Sequence, residues 1–107
     1  MAKEEVIAKL KKYLGVLERN GVHVSKAFLY GSYLHNQATE DSDIDVMVVS
    51  PQFDVRNDEL IGRSWNLTRE VDSRIEPYLV GLNRFLTDDV SPLLEVVRQE
   101  GLEITLS

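Results

Sequence analysis

The chain has 107 residues, 43% hydrophobic and 28% charged, which suits one compact domain of ordinary globular composition spanning 1–107. It contains no cysteine, which excludes disulfides and thiolate metal sites, and its two histidines, His23 and His35, are too few for an imidazole zinc site without carboxylate help. The net charge of −6 argues against direct binding to nucleic acid or to an anionic membrane, both of which call for a basic footprint, while a bound metal would invert the local charge and leaves a nucleotide ligand open.

The first residues, Met1-Ala2-Lys3-Glu4-Glu5, mix charges and run into a periodic segment, so no signal peptide is expected. No stretch reaches the length of a membrane span, and the cytoplasm is the expected location. Residues 3–19 read as an amphipathic helix, with Val6, Leu10, Leu14 and Leu17 at helical spacing, Ile7 and Tyr13 widening the stripe, and Asn20-Gly21 as the stop. Residues 25–30 read as a short buried strand that ends at Gly31-Ser32, and Ser32 is placed to cap a helical turn over 32–38. Residues 44–50 form the clearest strand, rich in β-branched side chains and stopped by Pro51. Residues 58–72 read as a second long helix, with Leu60, Ser64, Leu67 and Val71 on one face and Ile61 and Trp65 beside them. Residues 74–80 read as a third strand, in which Pro77 costs a ladder bond and points to an edge or a bulge. Ser91-Pro92 opens a last helix, Gly101 ends it, and Leu102, Ile104 and Leu106 alternate as in a short terminal strand. This order alternates helix and strand throughout, an α/β pattern with no repeat and no long linker.

The chemistry concentrates in two short segments. Strand periodicity puts Asp43 and Asp45 on one face, with Ile44, Val46 and Val48 on the other, directed into the core. Two carboxylates a few ångströms apart repel, and a hard divalent cation such as Mg²⁺ relieves that repulsion. Alone, an Asp-x-Asp is most often a pair of solvated acids. Gly31 lets the backbone come close to a ligand, and Ser32 offers a hydroxyl and nearby amides to an anion, although a lone Gly-Ser is ordinarily just a turn. Together they say more. A phosphate-cradling turn after one strand, followed by ten residues and a carboxylate pair on the next strand, can enclose a nucleotide and its metal in one cleft.

Gly31-Ser32, ten residues, then Asp43-Ile44-Asp45 resembles the Gly-Ser-x₁₀-Asp-x-Asp signature of the DNA polymerase β-like nucleotidyltransferase superfamily. The flanking Leu29-Tyr30 and Asp41-Ser42 and the small size make the chain similar to the minimal nucleotidyltransferase (MNT) branch, over roughly residues 3–100. The resemblance implies a nucleotidyltransferase fold, a small mixed β-sheet packed with helices. It also implies one or two Mg²⁺ ions on Asp43 and Asp45, ATP as substrate, and a triphosphate tail held by Gly31 and Ser32. A third carboxylate is usual on a later strand, commonly aspartate, and the matching position here is Glu76. The alternative for Glu76 is an exposed edge glutamate beside Arg74. Where family members often carry arginine, this chain has His35, which is either a weaker phosphate donor or a surface side chain.

Similar proteins commonly act with a helical partner of the HEPN type, often an RNA-cleaving toxin. The resemblance therefore implies an antitoxin that moves AMP onto a tyrosine hydroxyl of that partner. Two alternatives stay open: a non-catalytic antitoxin of the same fold, and an enzyme acting on a small-molecule hydroxyl. A homo-oligomer would supply the acceptor wall that so small a chain lacks. The terminal strand, Leu102–Leu106, is one candidate partner surface, because an unpaired edge can add to another chain.

Overall fold

The computed structural model describes residues 1–106. Helix α1 (Lys3–Arg19) has Glu4 and Glu5 in its first turn and Arg19 in its last, which suits the helix dipole. It buries Val6, Leu10, Tyr13, Leu14, Val16 and Leu17. Gly21, at φ +88°, turns the chain out, and the Val22 N–H closes on the Leu17 carbonyl at 2.9 Å, a Schellman-type stop.

Four strands follow: β1 (Lys26–Tyr30), β2 (Ile44–Val49), β3 (Ile75–Val80) and β4 (Leu102–Glu103). They form one sheet in the order β3-β2-β1-β4. β1 runs antiparallel to both β2 and β4, whereas β2 and β3 are parallel. The sheet is therefore mixed, as the resemblance implies. The expected terminal strand shrinks to two residues, with the Ile104 N–H adding one more bond to the Ala27 carbonyl at 2.8 Å.

The edge position expected from Pro77 is borne out, but its cost is not. Arg74 and Val80 accept from the Ile44 and Ser50 amides of the β2 side, so even-numbered residues of β3 turn their backbone groups inward. By alternation, Pro77 lies where a backbone N–H would point off the sheet, and no ladder bond is lost.

Both faces of the sheet are covered. Ile44, Val46 and Val48 pack with Leu29, Ile75, the apolar face of α1, Leu60 and Leu67. On the opposite face Phe28, Met47, Val49 and Val80 pack with Phe85, Leu94 and Val97. Burial is thus not confined to the even-numbered side of β2: Met47 and Val49, which share the face of Asp45, are also core residues. Each fully buried aliphatic side chain of this kind contributes about 1.5–3 kcal/mol.

Two expected elements differ, and one unexpected helix appears. The long helix over 58–72 is shorter: α2 (Asp58–Asn66), capped by the Asn57 side chain on the Leu60 N–H at 3.0 Å, tightens into a 3₁₀ turn over Leu67–Glu70. Near this tightening the buried Tyr13 hydroxyl donates to the Ser64 carbonyl at 2.7 Å, taking one of the carbonyls a helix end leaves without an intrahelical partner. The segment after Gly31 is a set of turns over 31–36 and no regular helix, because Asn36 at φ 58° breaks it. A helix not expected from the sequence, α3 (Leu82–Thr87), precedes α4 (Pro92–Glu100) and places Phe85 in the second core. Its first amides, of Asn83 and Arg84, donate to the Asp54 carboxylate at 3.0 and 3.3 Å. At the start of α4 the Ser91 cap expected from the sequence is present.

Candidate active site

The strand register sets the site. Tyr30 on β1 pairs with Asp45 on β2, and Asp45 pairs with Glu76 on β3. The three therefore form one row across the sheet. The next row on that face is Phe28, Met47 and Tyr78, which belong to the second core or pack against it. The Glu76–Asp45–Tyr30 row thus stands at the rim of a hydrophobic floor, with Asp45 half-buried and Glu76 exposed. Asp43, two residues before Asp45 and exposed, extends the acidic group toward the loop over 39–42.

Gly31 adjoins this row at φ +80°, and a side chain built on it would collide with the Asp45 carboxylate. The glycine therefore does two things: it takes a backbone angle that L side chains resist, and it leaves room for Asp45. Beyond it, the Leu34 and His35 amides donate to the Gly31 carbonyl at 3.1 and 3.3 Å, and the Gln37 amide to the Ser32 carbonyl at 2.9 Å. Among the described residues, the amides of Ser32 and Tyr33 take no part in these turn bonds. Such amides, next to a half-exposed serine hydroxyl, suit an anion. His35 is exposed, and among the described residues its imidazole makes no hydrogen bond to the acidic row.

The electrostatics follow from crowding. Asp45 is pushed up from the usual carboxylate range by its burial and by the charge of Asp43. Glu76 is pushed up by partial desolvation, by the charge and hydrogen-bonding approach of Asp43, and by Asp45. Tyr30 is pushed up to about 12 by burial first, then by the charges of Asp45, Tyr78 and Glu76. Arg74 does not offset this acidity. It turns to Asp72 at 2.7 Å and to the Glu40 carbonyl at 3.3 Å, and among the described residues Glu76 has no ion-pair partner. Sequence reasoning missed this arrangement. Lys9 of α1 also reaches Asp72 at 2.7 Å, so a Lys9–Asp72–Arg74 bridge ties α1 and the start of β3 to the loop that delivers Asp43.

Among the described residues no three His, Asp or Glu side chains converge into a set that would hold an ion unaided. That geometry does not disqualify Mg²⁺, which is usually bound by one or two carboxylates while substrate phosphates and water complete its shell. The donor chemistry fits: hard oxygens, in register on adjacent strands, whose mutual repulsion a cation relieves. A hollow of about 510 Å³ along α2 between Asp58, Arg63 and Glu70 includes none of these carboxylates. A smaller cavity of about 340 Å³ beside β3 does reach Glu76.

A mixed sheet that carries a Gly-Ser turn at the end of one strand and an acidic row across the next two defines the class of nucleotidyl-transfer folds. Residues 8–100 match the nucleotidyltransferase domain family, and the chain belongs to that family. The fold is also that of a Sulfolobus solfataricus protein described as a nucleotidyltransferase. The two share 13% identity with a TM-score of 0.58, over 77% of this chain and 72% of that one. No curated protein matches the chain.

Proposed function

We propose that this nucleotidyltransferase moves AMP from ATP onto a hydroxyl of another protein, a tyrosine of a HEPN-type helical toxin, and so acts as its antitoxin. The observation that carries the reading is the single row of Tyr30, Asp45 and Glu76, with the Gly31-Ser32 turn at its β1 end. The partner and its tyrosine come from the resemblance to the MNT branch.

Asp43 and Asp45, with Glu76 beside them, are the residues that would hold one or two Mg²⁺ ions, which when bound neutralise phosphate charge and ease the departure of pyrophosphate. Ser32 and the turn amides bind the β- and γ-phosphates and fix the tail at the β1 end. The acceptor oxygen bonds to the α-phosphorus as the bond to the pyrophosphate oxygen breaks. Glu76 takes the hydroxyl proton, and its partial desolvation and acidic neighbours raise its affinity for that proton. The hydrophobic floor under Asp45 lowers the local dielectric and strengthens each of these contacts. Catalysis is then chiefly positioning and electrostatics.

A second reading, a non-catalytic antitoxin, is favoured by the exposed positions of Glu76 and His35. One experiment separates the two. The protein is incubated with Mg²⁺, ATP labelled on the α-phosphate and a lysate of the source cell, beside an Asp45→Asn control. Label on one protein band, located on a tyrosine by mass spectrometry and absent from the control, is expected. Neutralisation of the partner that survives Asp43→Ala, with no label transferred, would establish the second reading instead.

A further inference from the structure

Helix α3, which covers the face of the sheet that bears Asp45 and Glu76, carries an arginine with donors to spare. Phe85 of this helix stacks on Phe28 of β1, with ring centroids 5.2 Å apart, and its neighbour Arg84 lies beside Tyr78 of β3. The backbone of Arg84 is fixed, because its N–H, like that of Asn83, donates to the Asp54 carboxylate. Its side chain is 48% exposed, and among the described residues only its Nε closes a hydrogen bond, to Asp88 at 3.1 Å. Asp88 does not depend on that bond, since its other oxygen accepts from the Val90 and Ser91 amides at 2.9 and 3.1 Å. The two terminal nitrogens of Arg84 therefore keep donors for a ligand.

The other cations of this region are occupied or distant. Arg98 uses both terminal nitrogens on the Phe85 and Asp88 carbonyls, at 2.6 and 2.7 Å. Arg74 is held by Asp72 and the Glu40 carbonyl. Lys26 pairs with Val49, at the opposite end of β2 from Asp45.

The register sets Arg84 against the acidic row. Tyr78 follows Glu76 by two residues on the same face, so its Cα lies about 6.6 Å behind that of Glu76. Strand β3 is two strand spacings, about 9.6 Å, from β1, where the Gly31-Ser32 turn lies. A nucleotide with its β- and γ-phosphates in that turn and its α-phosphorus near Asp45 brings the α-phosphate, and not the tail, closest to Arg84. The charge balance calls for a cation there: three carboxylates and a triphosphate carry more negative charge than two Mg²⁺ ions neutralise. A guanidinium binds phosphoryl oxygens through paired, charge-assisted hydrogen bonds.

We propose that Arg84 is a substrate-binding residue of this site, whose terminal nitrogens donate to the non-bridging oxygens of the α-phosphate. This rests on the nucleotidyl-transfer reading above. As the acceptor oxygen bonds to the α-phosphorus and the bond to the pyrophosphate oxygen breaks, the hydroxyl proton passes to Glu76, and Arg84 keeps its own protons while it stabilises the charge on those oxygens.

The test is calorimetric titration of the full chain, with Mg²⁺ present, using ATP, AMP and inorganic pyrophosphate as separate probes. Wild type is compared with Arg84→Gln, Arg84→Lys and Asp88→Asn. Arg84→Gln should weaken ATP and AMP at least fivefold and pyrophosphate less than twofold, with Arg84→Lys restoring part of the loss. Asp88→Asn keeps an oxygen for the Val90 and Ser91 amides and removes only the charge facing Arg84, so it should bind all three probes as tightly as wild type or more so. A loss for pyrophosphate without one for AMP would put the contact on the leaving group and overturn the proposal. An equal loss in Asp88→Asn would mean that Arg84 acts only by holding the loop after α3, and would overturn it too. Unchanged affinity for ATP and AMP in Arg84→Gln overturns the proposal alone, whereas a wild type that binds none of the probes overturns the nucleotidyl-transfer reading and the proposal with it.

Discussion

The Asp45 carboxylate occupies the space that a side chain at Gly31 would need. The turn proposed to hold phosphate and the strand proposed to carry the cation are thus packed on each other, and neither can shift alone. Gly31→Ala should therefore do double damage. The left-handed angle costs about 1–2 kcal/mol for any other residue, and Asp45 must move. A displacement of about 1 Å is enough to lose roughly 10²-fold in rate. Thermal denaturation and AMP transfer, measured on the same variant, check both effects.

Asp45→Asn should abolish transfer while leaving the metal-free protein as stable as the wild type or more so. The folded state raises the affinity of Asp45 for its proton. The stability this group contributes is fully present below its unfolded pKa and is lost as pH rises through the raised, folded one. At neutral pH the charged group is a burden, and its removal should add about 0.5–2 kcal/mol. Unfolding midpoints at neutral pH and in mild acid should converge for wild type and variant as the acid end is approached.

Asp72 behaves in the opposite sense. Hydrogen bonds from Arg74, with Lys9 adding to them, hold its carboxyl well below the usual range, and its side chain is only 9% exposed. The stability it contributes is present above its unfolded pKa and disappears as pH falls toward the folded one. Asp72→Asn should cost about 1–2 kcal/mol at neutral pH, because the two cations that lose their partner are themselves partly in water. A difference between wild type and variant that shrinks in strong acid is the expected signature in pH-dependent melting. The same variant frees the Arg74 anchor on Glu40, so its KM for ATP should rise.

Tyr13→Phe removes a buried donor and leaves the Ser64 carbonyl at the end of α2 without its partner. A loss of about 1–3 kcal/mol is expected, with no change in AMP transfer per folded molecule. Chemical denaturation with an unchanged slope, alongside the transfer assay, checks it.

Much of this site was legible because it is written in local spacing. Gly31 and Ser32 directly follow β1, Asp43 directly precedes β2 and Asp45 lies on it, so local spacing alone brings the segments near one another, while strand alternation does not extend to Asp43. The parts that were hidden depend on contacts distant in sequence. Helix α3 takes its amide partner from Asp54, and Gly81 is needed there because Asp54 fills the place of a side chain. The early end of α2 goes with a contact from Tyr13, 51 residues away. Arg74 reads as a neighbour of Glu76 along the strand, yet it is claimed by Asp72 and the Glu40 carbonyl. Trp65 is set beside the apolar stripe of α2 by spacing, yet while Leu60, Ser64 and Leu67 are buried the indole stays 43% exposed.

The proposed function requires the Gly31-Ser32 turn and the acidic row to bind a nucleotide through Mg²⁺. Calorimetric titration of ATP into wild type and Asp45→Asn, with and without Mg²⁺, tests it most directly. The wild type should bind ATP with an affinity that falls at least tenfold without Mg²⁺, and a folded Asp45→Asn should show no Mg²⁺ dependence. Equal Mg²⁺-dependent affinity in the two proteins, or no binding of ATP to the wild type with Mg²⁺ present, would contradict it.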